Sequence, residues 1–171
     1  MILESLIPSL RGAEGWSPTV YIDTTGNLTI GYGFNLGKLH VSAAGTVKVD
    51  PVNGISVAVG EQLILSEVVE VITAIRASLP WWDRLDDVRQ EVLADMAYNL
   101  GMPGLLKWPI FLRQVRTGDY ASAAGNMRST LWYRQTGRRA RRLVKMMETG
   151  QDQPPLKLRP KKLKKLKKEE K

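Results

Sequence analysis

Over most of this chain apolar residues recur every three or four positions, the spacing of a helix that buries one face; only near the N-terminus does the pattern shorten. There, residues 19–23 and 28–33 are two runs rich in β-branched and aromatic side chains, separated by Thr24-Thr25-Gly26-Asn27. Those four residues are turn chemistry, so the stretch predicts an antiparallel hairpin in which Asp23 closes the first strand and Thr29 opens the second. Before it, Leu3, Leu6, Ile7 and Leu10 mark a short helix over residues 2–10, which Pro8 should strain, shorten or restart. After it, residues 37–54 read as loop, with one short strand at 46–49.

The longest periodic stretch is residues 56–79, where Val59, Leu63, Ile64, Val68, Val71, Ile72, Ile75 and Leu79 hold one helical face until Pro80 ends it. Asp86 predicts the N-cap of a helix reaching Leu100, with Val88, Val92, Leu93, Met96, Ala97 and Leu100 inward and Gly101 as its stop. Shorter helices follow at 103–107, 109–117, 120–129 and 137–149. Residues 151–160 contain three prolines and read as linker, and 161–171, KKLKKLKKEEK, is low-complexity.

The charge of +8 is local: nine of the 25 Lys and Arg and two of the 17 Asp and Glu lie in residues 154–171, leaving 16 basic and 15 acidic side chains in residues 1–153. Within that body Arg134, Arg138, Arg139, Arg141, Arg142 and Lys145 form one basic cluster. It lacks interleaved groove-reading side chains, so no nucleic-acid partner is expected; Arg139 and Arg142 are expected to turn inward and the others to be solvated. With no cysteine and a single histidine, His40, neither a disulfide framework nor a transition-metal cluster is expected. No cofactor is expected either. Met1 to Gly12 lacks the run of a signal peptide, and no stretch is long enough to span a membrane.

The candidate chemistry is concentrated at the hairpin. Glu14, Asp23 and Thr29 stand in the frame E-x8-D-x5-T, which runs into Thr-Ile-Gly-Tyr-Gly at residues 29–33. Two carboxylates and a hydroxyl around one hairpin suit glycoside cleavage, which needs a protonated acid on the leaving oxygen and a second carboxylate on the opposite face. Residues 12–35, GAEGWSPTVYIDTTGNLTIGYGFN, resemble the active-site segment of phage T4-type lysozymes. Residues 86–104, DDVRQEVLADMAYNLGMPG, and 123–142, AAGNMRSTLWYRQTGRRARR, resemble two further segments of that family in the same order.

The resemblance implies an α+β, mostly helical fold. A catalytic domain over 1–153 would comprise a small lobe at about 12–55, a connecting helix at about 56–79 and a helical lobe at about 80–150, followed by a basic tail, 154–171. It implies an endolysin muramidase that hydrolyses the β-1,4 bond between N-acetylmuramic acid and N-acetylglucosamine in peptidoglycan, with inversion. Glu14 would be the general acid, Asp23 would polarise the attacking water and Thr29 would help place it. Tyr98 and Asn126 would contact sugar, and Arg139 would orient Glu14. Inversion calls for carboxyls about 6.5 to 9.5 Å apart. Phe34 stands where many relatives carry histidine, a change expected at the cleft rim, while Tyr32, Trp132 and Tyr133 are expected to be structural. The family further implies a monomer made in the host cytoplasm and released through a holin-type pore. Two alternatives stay open: a lytic transglycosylase, and a cationic protein that acts on anionic outer-membrane lipids through Lys161 to Lys168.

Overall fold

The computed structural model describes residues 2–23, 25–36 and 54–160; the expected strand at 46–49, His40 and the run 161–171 lie outside these residues. The fold is α+β, mostly helical with a small antiparallel sheet near the N-terminus. The described residues form two compact units, one from residues 2–10 and 68–156, the other from the described part of 11–67 with 157–160.

The smaller unit holds the sheet, in the order β1 (Ser17–Ile22), β2 (Leu28–Gly31), β3 (Phe34–Asn35). Strand β1 begins two residues earlier than the pattern predicts, and Asp23 lies just beyond it in the turn. Leu28, not Thr29, opens β2, which pairs Tyr21 with Thr29 and Ile22 with Leu28. The second predicted strand also stops early, because Gly31 (φ 63°) and Gly33 (φ 117°) bend the chain through a turn into β3. Behind the sheet Ile30, Tyr32 and Phe34 are buried, and Tyr32 packs between Trp16 at 4.7 Å and Phe34 at 6.3 Å. Phe34 is 2% exposed, so it belongs to this core and not to a rim; an aromatic ring suits the site because it fills space against Tyr32. Tyr32 is structural, as expected.

Glycine closes this unit at two points. Gly54 has φ 74° and lies so near the Pro18 carbonyl that a Cβ would fall 1.8 Å from its oxygen, while Ile55 N–H donates to that same oxygen at 3.0 Å. Gly60 sits under the Trp16 ring, where a Cβ would come within 2.4 Å. Residues 157–160 are tied here as well: Trp16 N–H donates to the Arg159 carbonyl at 3.2 Å, and Trp16 bridges Pro160.

Helix α1 (Ile2–Glu14) passes through Pro8 and continues to Glu14, four residues beyond the predicted end. Proline removes one intrahelical donor, but nearby hydroxyls return bonds to the backbone: Ser9 Oγ to the Ser5 carbonyl at 2.8 Å and Ser5 Oγ to that of Ile2 at 3.2 Å. Gly15, at φ 71°, then ends the helix. Helix α2 (Val57–Ser78) follows the predicted period, with Leu63, Ile64, Val68, Ile72 and Ile75 buried. Among the described residues no helix is long and apolar enough to cross a membrane.

The larger unit is helical: a 3-10 turn at Trp82–Arg84, then α3 (Asp87–Leu100), α4 (Met102–Leu106), α5 (Pro109–Arg116), α6 (Tyr120–Arg128), α7 (Leu131–Thr136) and α8 (Arg138–Thr149). Asp86 caps α3 as predicted, accepting from Arg89 N–H at 2.9 Å, and Gly150 ends α8 in the left-handed conformation. Helix α7 is absent from the predicted elements; its six residues are too few to show a period, and Thr130 caps it through Tyr133 N–H at 3.1 Å. Trp132 is buried with its Nε1–H on Asn99 Oδ1 at 2.8 Å, a structural role as expected.

Helix α3 departs most from its predicted pattern. Every residue from Glu91 to Ala97 is buried, while Val88 and Leu100, expected inward, are only half-buried. Glu91 and Asp95 are each 1% exposed and stand one turn apart, facing Arg142 and Arg139 of α8. Arg139 Nε donates to Asp95 Oδ1 at 2.6 Å, and Arg142 Nη2 to Glu91 Oε1 at 3.0 Å. Ser9 Oγ, which shares its one proton with the Ser5 carbonyl, also lies 3.0 Å from Glu91 Oε1, and Arg142 donates to the Gln153 and Pro154 carbonyls, so the first residues of the expected linker are fastened to α8. Arg139 and Arg142 turn inward as expected, at 7% and 9% exposed. The burial is sustained because each charge meets an opposite charge and further hydrogen bonds.

Candidate active site

Glu14, Asp23 and Thr29 all belong to the smaller unit. Glu14 is the last residue of α1, where the half-turn at Gly15 redirects the chain into β1. The prediction placed it after the helix; a helical end gives its side chain a firmer base than a loop.

Asp23 is fixed by its own turn. Its Oδ1 accepts from Thr25 N–H at 2.8 Å, Thr25 Oγ1 at 2.8 Å and Asn27 N–H at 2.9 Å, while its own N–H donates to the Asn27 carbonyl at 3.0 Å. Among the described residues, Oδ2 has only a 3.5 Å approach from Asn27 Nδ2. One carboxylate oxygen is therefore saturated and the other is nearly open. Donors favour the charged form, and the backbone bond from Asn27, the Thr25 hydroxyl and further bonds from these two residues hold the Asp23 pKa down at about 2 against an ordinary 3.8.

A depressed pKa in the folded chain contributes stability that is full above 3.8 and is lost as pH falls through about 2. Carboxyl-carbon NMR should place the Asp23 midpoint near 2, and Thr25→Ala, by removing one donor, should move it up toward 3.8. A midpoint that stays put in the variant would show that the turn does not hold the charge.

Thr29 is buried on β2, and its Oγ1 donates to the Asn27 carbonyl at 3.1 Å. With its proton committed there, the oxygen keeps lone pairs for an incoming donor. Across the ladder stands Tyr21, half-buried, whose pKa is pushed up to about 12 by burial first, then by the negative charges of Asp23 and Glu14. Both carboxylates therefore act on one phenol. The frame E-x8-D-x5-T did not reveal Tyr21, Thr25 or Asn27, although the two-residue period from Tyr21 to Asp23 was a usable signal.

Tyr98, Asn126 and Arg139 belong to the larger unit, on α3, α6 and α8; Tyr98 and Asn126 are half-buried. That unit also has an open pocket of about 390 Å³ beside Glu4, Asp87, Glu91 and Arg142, which contains none of the six predicted site residues.

Residues 11–148 match the family model described as Phage lysozyme. Among known proteins, the chain is 28% identical over 164 residues to probable T4-type lysozyme 2 of Dictyostelium discoideum, covering 87% of this chain and 96% of that protein. Probable T4-type lysozyme 1 of the same organism is 26% identical over 164 residues, with the same coverage. The pre-baseplate central spike protein Gp5 of Enterobacteria phage T4 is 28% identical over 160 residues, which are 85% of this chain and 28% of that longer protein. With the matched span running from the end of α1 through nearly all of α8, the chain belongs to the phage lysozyme family and is an enzyme, a T4-type lysozyme of the glycoside hydrolase class.

Proposed function

We propose that this enzyme hydrolyses the β-1,4 bond between N-acetylmuramic acid and N-acetylglucosamine in peptidoglycan, inverts the anomeric centre, and thereby lyses bacterial cells. The observation that supports this reading most is the pairing of Glu14 and Asp23 in one unit, both acting on Tyr21, with Asp23 held ionised by its turn. Glu14 serves as general acid and gives its proton to the leaving oxygen. Asp23 Oδ2, the oxygen its own turn leaves nearly open, accepts one hydrogen of the attacking water. Thr29 Oγ1, having donated to Asn27, accepts the other. A water held by two acceptors directs a lone pair at the anomeric carbon, and its proton leaves toward Asp23. Tyr98, Asn126 and Arg139 keep the roles that the family resemblance gives them, contact with sugar for the first two and support of Glu14 for the third.

A transglycosylase needs the acid but no water-directing carboxylate, so an ionised Asp23 with one oxygen nearly open favours hydrolysis. Mass spectrometry of fragments from purified peptidoglycan tests this directly. Hydrolysis predicts muramic residues with reducing ends, whereas anhydromuramic ends would overturn it.

A further inference from the structure

We infer that Tyr21 is a positioning residue of this site, standing on the sheet face beside Thr29 and close to both carboxylates, where it orders Glu14 for reaction. The inference rests on the proposed roles of Glu14 and Asp23. Its geometry comes from the ladder. Tyr21 and Thr29 are direct partners in the antiparallel pair β1–β2, and the side chains of such partners rise from the same face with Cβ atoms about 4.5 to 5.5 Å apart. Asp23 follows Tyr21 by two residues, the strand period that returns a side chain to the same side, while Ile22 between them is 47% exposed. Glu14 comes from a different element, the end of α1, yet its charge acts on the same phenol. Tyr21 thus lies at the meeting point of three groups drawn from a helix end, a turn and a neighbouring strand.

The chemistry suits a phenol. Proton transfer here requires one carboxyl to be protonated and the other ionised, and a third charge between them would disturb both. Because its ionisation lies near pH 12, Tyr21 stays neutral wherever the enzyme works and offers a hydrogen-bond donor without adding charge. Asp23 is already held by its own turn, so this one donor serves Glu14, fixing its orientation without touching the sugar, and its loss should reduce turnover more than binding.

The test is Tyr21→Phe, which keeps the ring and removes the oxygen, assayed on soluble peptidoglycan strands beside Glu14→Gln. The expected result is a kcat at least tenfold lower, with KM within twofold and melting temperature within 2 °C of the parent. A Phe variant with kcat within twofold of the parent, while Glu14→Gln is inactive, would overturn the role of Tyr21 and leave the proposed function standing. A loss of kcat that appears only with a fall in melting temperature would reduce Tyr21 to a packing residue. An active Glu14→Gln would overturn both the site assignment and this inference.

Discussion

Glu14→Gln should lower turnover on purified peptidoglycan by about a thousandfold, within the range that a positioned general acid contributes. Glutamine matches glutamate in size and can still hydrogen bond, but it has no proton to give to the leaving oxygen. The change is confined to the last residue of α1, on a side chain that is only half-buried, so the fold should persist. Release of reducing ends gives the rate, and circular dichroism with a melting curve gives the fold. A well-folded variant with turnover within threefold of the parent would show that another group supplies the proton.

Asp95→Ala should produce the largest loss of stability. Asp95 is 1% exposed and accepts from Arg139 Nε at 2.6 Å, so its removal takes that carboxylate away from a guanidinium that is itself only 7% exposed. Breaking a buried pair from one side typically costs about 3 to 5 kcal/mol, because the remaining charge keeps its desolvation cost and loses that carboxylate's attraction. For a chain of this size that corresponds to a fall in melting temperature of roughly 10 °C. The paired change Asp95→Leu with Arg139→Met should regain most of it, since it removes both charges of this buried pair and replaces them with apolar side chains. Its activity then reports separately on the support that the family resemblance gives Arg139. A single Asp95→Ala variant melting within 2 °C of the parent would mean that the buried pair contributes little.

These two sites show what could be read from the chain and what could not. The hairpin was legible because its turn residues and flanking runs are contiguous, and the frame of Glu14, Asp23 and Thr29 because it spans only residues 14–29. The Asp86 cap and the Gly150 stop are likewise local rules that the structure follows. Glu91 and Asp95 were not legible as buried residues. Their partners lie 51 and 44 positions away, and a helix enclosed on nearly every side does not display the one-faced pattern that periodicity detects. Pro8 misled for a related reason: the rule that proline breaks a helix is local, whereas the hydroxyl bonds of Ser5 and Ser9 and the burial of Leu6 and Leu10 support α1 across it. Phe34 misled in the opposite direction, since a residue compared with a polar counterpart elsewhere invited a surface role, and the edge contact with Tyr32 places it in the core. At the site itself, the sequence marked Asp23 but not the turn that saturates one of its oxygens and leaves the other nearly open.

That division of labour between the two oxygens leads to the most direct test of the account. If Glu14 protonates the leaving oxygen while Asp23 directs water from the opposite face, displacement occurs once and the β-linked sugar is released with its configuration reversed. Proton NMR of soluble glycan strands, recorded in the first minutes of digestion before the anomers equilibrate, should therefore show the α-anomer forming first. First-formed β-anomer would contradict it, because retention requires a covalent sugar intermediate and a different part for Asp23.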